Sequence, residues 1–106
     1  MVLTGKYHAR PTLVDGIRFD SRKEAARYQE LCLLERAGEI QGLQLQVPFV
    51  LLPKSQYGRP VKYIADFVYT ENGRQVVEDA KGYRTDVYKL KRRLMAELLG
   101  IKIKEV

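Results

Sequence analysis

The chain has 106 residues, 45% hydrophobic and 30% charged, enough for one domain with a real core and too apolar for a disordered segment. A formal charge of +6 favours polyanions as partners, nucleic acid first. A single cysteine, Cys32, excludes an internal disulfide, and one histidine leaves too few ligands for a Cys/His zinc site.

Residues 1–11, with Lys6, His8 and Arg10, read as a basic arm without periodicity and without the features of a signal peptide. No apolar run approaches the ~20 residues of a membrane span, so the expectation is an intracellular protein with no membrane partner. Thr12–Val14 and Ile17–Phe19 flank Asp15-Gly16, a hairpin turn pair. Ser21 begins a capping box completed by Glu24, and the helix it opens ends near Ala37, before Gly38. Leu43, Leu45 and Val47 alternate with Gln44 and Gln46, predicting a strand that continues irregularly past Pro48 to Leu52. Residues 61–70 and 74–80 read as antiparallel strands joined by Asn72-Gly73. A second helix is expected from about Thr85 to Gly100, and Ile101, Ile103 and Val106 suggest a last short strand.

The central strands carry apolar residues on both faces: Ile64, Val68 and Val77 on one, Tyr63, Ala65, Phe67, Tyr69 and Val76 on the other. Strands of that kind need a helix above and below. The expected fold is therefore a single α/β domain of αβββαβ order over 1–106, a sheet flanked by helices on both faces.

The Asn72-Gly73 turn also sets a register. Glu71 pairs with Arg74, and five positions outward Asp66 falls opposite Asp79. The count makes this a non-hydrogen-bonded pair, with Cα atoms roughly 4.5 Å apart. Like charges at that spacing repel, so the pair calls for a cation or a proton. Lys81 follows two residues after Asp79 on the same face, and Ala80 between them offers its carbonyl. Two carboxylates that hold Mg2+ beside a lysine suit phosphodiester hydrolysis. Glu24 shares a helix face with Tyr28, Leu31 and Cys32, so it leans toward the sheet as a third carboxylate, unless capping is its whole task. Glu78 faces the other side of the sheet and could replace Asp79 only if a bulge shifts the register. Gln46 could reach the site from the neighbouring strand but reads first as an amide turned to solvent. In the second helix Val87, Leu90, Leu94, Met95 and Leu98 form the expected buried stripe. Lys91 falls within it and must snorkel or meet an acidic site. Tyr83, Arg84, Lys89 and Arg92 surround it with phosphate-binding and stacking groups.

The pattern Asp66…Asp79-Ala80-Lys81, after a helix bearing Glu24, resembles the PD-(D/E)XK nuclease superfamily. The segments F-D-S-R-K-E-A, Y-I-A-D-F and V-V-E-D-A-K-G are similar to a small phage-encoded branch of it. One departure is Ala65, which stands where the name-giving proline would be. The resemblance implies a restriction-endonuclease-like core, Asp66 and Asp79 as metal ligands, Lys81 as catalytic lysine, Glu24 as accessory acid and Lys91 as a helix-borne basic residue. It implies a Mg2+-dependent DNA endonuclease, with Mn2+ as a substitute, working as a homodimer suited to four-way or other branched DNA. Lys91, Arg84, Tyr83, Lys89, Arg92, Arg10 and Lys6 are the candidate DNA contacts. The competing expectation is a non-catalytic nucleic-acid-binding module that keeps the fold.

Overall fold

Two left-handed dipeptides shape the local topology of the computed structural model, which describes residues 11–81 and 83–106. Asp15 and Gly16 (φ 52° and 75°) join β1 (Thr12–Val14) to β2 (Ile17–Phe19), and Asn72 and Gly73 (φ 52° and 74°) join β4 (Val61–Glu71) to β5 (Arg74–Asp79). Positive φ at both central residues is the type I′ geometry whose twist matches that of the flanking strands. The basic arm with Lys6, His8 and Arg10 lies outside the described residues.

Between the hairpins stand α1 (Arg22–Arg36) and β3 (Gln41–Leu52). Ser21 caps α1 by accepting from the Glu24 amide at 3.1 Å, and the Glu24 carboxylate returns to the Asp20 amide at 3.3 Å. The chain ends with α2 (Asp86–Leu99) and β6 (Lys104–Glu105). Thr85 caps α2 by accepting from the Tyr88 amide at 3.0 Å. At the other end Gly100 adopts φ 66°, and the amides of Gly100 and Ile101 donate to the carbonyls of Ala96 and Met95. This is the termination for which glycine is suited, since a Cβ disfavours the left-handed conformation. No helix among the described residues is long and apolar enough to cross a membrane.

The sheet runs β3-β4-β5-β6, antiparallel except for the β5–β6 pair, and is therefore mixed. Val77 and Val68 pack in a cluster with Tyr88 and Met95 of α2, whereas their neighbours Val76 and Tyr69 pack with Ala25 and Leu31 of α1. Adjacent strand residues point to opposite faces, so each helix covers one face of a mixed α/β domain.

The expected division of faces fails along half of β4. Tyr63 and Ala65 join Val68 and Val77 on the α2 side, while Phe67 and Tyr69 lie on the α1 side. β3 behaves alike, with Leu43 and Leu45 toward α1 and Val47 and Phe49 toward α2. Residues two apart should share a face, so both strands turn over together, at Gln46 and at Asp66. Gln46 has φ 53°, a left-handed conformation that costs a non-glycine residue about 1–2 kcal/mol. Ile64, expected in the core, is exposed.

The buried stripe of α2 is also corrected. Tyr88 and Met95 are its buried residues, with Leu94 packed beside them, whereas Val87, Leu90 and Leu98 are exposed. Tyr88 seals that face because its ring packs inside while its hydroxyl reaches Glu105 at 2.8 Å.

Candidate active site

Four segments meet where β3 and β4 turn over. The β4–β5 ladder runs from Glu71↔Arg74 to Phe67↔Glu78, which places Asp66 and Asp79 as the next residues outward. There the Asp66 carboxylate accepts from the Ala80 amide at 2.8 Å, a donor just beyond the end of β5. From β3 the Gln46 amide donates to Glu24 at 3.0 Å and to Asp66 at 3.4 Å. One side-chain nitrogen thus ties the first turn of α1 to β4. Glu24, Asp66 and Ala80 border an open cavity of about 250 Å3, lined also by Asp20, Ser21, Lys81, Tyr83 and Thr85.

Asp79 stands just behind this cavity, 1% exposed. Its Oδ2 accepts from the Tyr63 hydroxyl at 2.6 Å and faces the Lys81 ammonium at 3.7 Å. Its Oδ1 is buried and has no hydrogen-bond partner among the described residues. Burial pushes the Asp79 carboxyl up, opposed by the Tyr63 bond and assisted by the Asp66 charge. Lys81 is held from the other side by the Tyr88 ring, 5.7 Å from its nitrogen to the ring centre.

Burial, and after it the Asp66 charge, push Glu24 from 4.5 up to about 7. A carboxyl raised in the native state stabilises the fold fully below 4.5, and that contribution is lost as pH rises through about 7. In EDTA, the urea midpoint is therefore expected to fall between pH 5 and pH 8, and Glu24→Gln to flatten the fall. Parallel slopes for the two proteins would contradict the assignment.

Glu24, Asp66, Ala80 and Lys81 thus line one cavity, and Asp79 reaches it through Lys81. Lys91 does not meet the acidic groups; it lines a neighbouring cavity. Arg84 and Arg92 both bind Glu105, at 2.8 and 2.9 Å, so their charge is already partly matched. Tyr83 and Lys89 are exposed. Glu78 lies on the α1 side, bound to Arg27. Two participants stand where the strand pattern alone does not favour them. Alternation carried through the strand turnover turns Gln46 to solvent, whereas the turnover brings it to Glu24 and Asp66. Tyr63 reads as core, yet a buried tyrosine hydroxyl needs a partner, and here it finds Asp79, 16 positions away on the paired strand.

A hard divalent cation takes oxygen donors. Among the described residues no group of three or more His, Cys, Asp or Glu side chains forms a ready cage. Mg2+ does not need one, since it binds through one or two carboxylates and keeps its waters. Asp66 at the cavity wall and the orphaned oxygen of buried Asp79 fit that donor set.

The chain belongs to a protein family of unknown function, DUF1064, whose pattern it matches over residues 4–104. No curated protein and no solved structure matches it.

Proposed function

We propose that this domain is a Mg2+-dependent DNA endonuclease with a restriction-endonuclease-like core. The observation that carries the reading is the meeting of Glu24, Asp66 and Lys81 at one open cavity, backed by a buried carboxylate with an unpartnered oxygen. Acidic groups are costly to bury together. A site that gathers them beside a lysine, in a chain of charge +6, is suited to a cation and a phosphodiester.

Asp66 and Asp79 would hold the cation, with the Ala80 carbonyl assisting. When bound, Mg2+ or Mn2+ supplies charge against the phosphoryl oxygens and a water of lowered pKa. Lys81, fixed between Asp79 and Tyr88, directs its ammonium to a phosphate oxygen on which negative charge develops. Gln46 orients Glu24 and Asp66, so neither carboxylate must be reorganised when substrate arrives. Homodimerisation belongs to the same proposal. Leu90 and Leu98, 56% and 52% exposed on α2, offer apolar surface that a second copy would cover, and light scattering is expected to read a dimer mass.

The test is a cleavage assay on labelled duplex, single-stranded, flap and four-way-junction DNA, each in Mg2+, Mn2+ or EDTA. Cutting that requires the metal supports the reading, and the preferred DNA names the substrate. Tight binding to one structure with no cutting in either metal would replace it with the non-catalytic module.

A further inference from the structure

A second cavity, also about 250 Å3, adjoins the acidic one, and Lys81 and Thr85 line both. Lys81 is therefore the partition between them. On the far side the lining includes Lys91 and two aliphatic side chains, Ile64 and Val87, which are 43% and 62% exposed. Tyr63 and Tyr88 also line it, both buried and with their hydroxyls already given to Asp79 and Glu105.

The cations of α2 are unequal. Arg92 is matched by Glu105 and Arg93 by Glu97, which makes both poor receptors for a further anion. Lys91 is half-buried, and no carboxylate among the described residues pairs with it. An ammonium partly withdrawn from water without a counter-ion is held at a cost that an incoming anion would offset. Beside it the Thr85 hydroxyl accepts from the Tyr88 amide, which leaves its proton to donate. The cavity therefore joins two donors for an anion to an exposed aliphatic wall. An inorganic anion would use only the donors, whereas a nucleotide would use both parts.

We propose that this second cavity is a nucleotide subsite. It holds the nucleotide adjoining the phosphodiester in the acidic cavity, with its phosphate on Lys91 and Thr85 and its sugar and base edge against Ile64 and Val87. The proposal rests on the nucleic-acid reading of the acidic site but requires neither metal nor cleavage.

The test is an NMR titration of the full chain, methyl-labelled at isoleucine and valine, in EDTA. Thymidine 5′-monophosphate, thymidine and inorganic phosphate are added to separate samples. The monophosphate is expected to shift the Ile64 and Val87 methyls saturably, with thymidine and phosphate each at least about tenfold weaker. Lys91→Gln should weaken the monophosphate about tenfold, while Lys102→Gln, an equal loss of charge outside the cavity, leaves it unchanged. Phosphate binding as tightly as the nucleotide, still methyls at Ile64 and Val87, or equal effects of the two lysine variants would each overturn the subsite. Because binding is read without metal, a failure to cut DNA leaves this result standing, and a failed titration leaves the cleavage reading untouched.

Discussion

An Asp66→Asn protein is expected to fold as the wild type does and to cleave DNA about 10^3-fold more slowly, a loss of about 4 kcal/mol in transition-state stabilisation. Asparagine keeps an oxygen to accept from the Ala80 amide, the contact that fastens Asp66 to the end of β5. What it removes is the negative charge at the cavity wall, together with the acceptor of the longer 3.4 Å bond from Gln46. If the proposed site binds Mg2+, the cation is expected to raise the melting temperature of the wild type, a mass-action effect of about 2.7 kcal/mol at a hundredfold excess over Kd, and the variant to lose that rise. Asp66 is a cleaner probe than Asp79, which is 1% exposed and bonded to Tyr63, so that an amide there disturbs packing as well as charge. Equal cleavage rates for wild type and Asp66→Asn would remove Asp66 from the chemistry.

The second large effect concerns stability. Arg27 grips Glu78 through two bonds, Nε to Oε1 at 2.8 Å and Nη2 to Oε2 at 2.6 Å, and Tyr69 donates to the same carboxylate. Glu78 is wholly buried, with Lys104 at 3.8 Å as its remaining cation. Burial alone would push its carboxyl up; the Arg27 and Tyr69 bonds outweigh burial and hold it below the ordinary 4.5. Arg27→Ala leaves that charge stranded and should cost about 3–5 kcal/mol, a large part of the stability of a domain this size. The depressed native value means that the Glu78 contribution is present above pH 4.5 and lost as pH falls through the lowered native value. Urea denaturation at pH 7 and at pH 3 measures both statements. A loss below about 1 kcal/mol at pH 7 would reduce the contact to an ordinary surface ion pair.

How far the sequence is legible depends on which interactions are local. Asn72-Gly73 specifies a type I′ turn by itself, so the pairing out to Phe67↔Glu78 follows from a dipeptide and a count. Ser21, Glu24, Thr85 and Gly100 mark helix ends for the same reason. The turnover at Gln46 and Asp66 carries no such mark, because glutamine is not a residue that announces a left-handed backbone. Without it, alternation turns Gln46 to solvent and groups Tyr63 with Phe67. Apolar identity does not mark burial on α2, where Tyr88 holds the inner position and Val87, Leu90 and Leu98 remain outside. The Arg27–Glu78 pair spans 51 positions and depends on where α1 docks, which no local pattern encodes.

The contacts of the acidic cavity also imply an order of assembly. Gln46 lies 20 positions from Asp66, Asp66 lies 14 from Ala80, and Tyr63 lies 16 from Asp79. All belong to one meander, β3 through β5, whose strands are neighbours both in the chain and in space. Closing such short loops carries little entropic cost, so this meander can bring its carboxylates together before either helix is seated. Glu24 enters from outside the meander, at the start of α1. The cavity is then completed from both ends, by Thr85 at the start of α2 and by the docking of α1, for which Gln46 is the receiving group in the sheet.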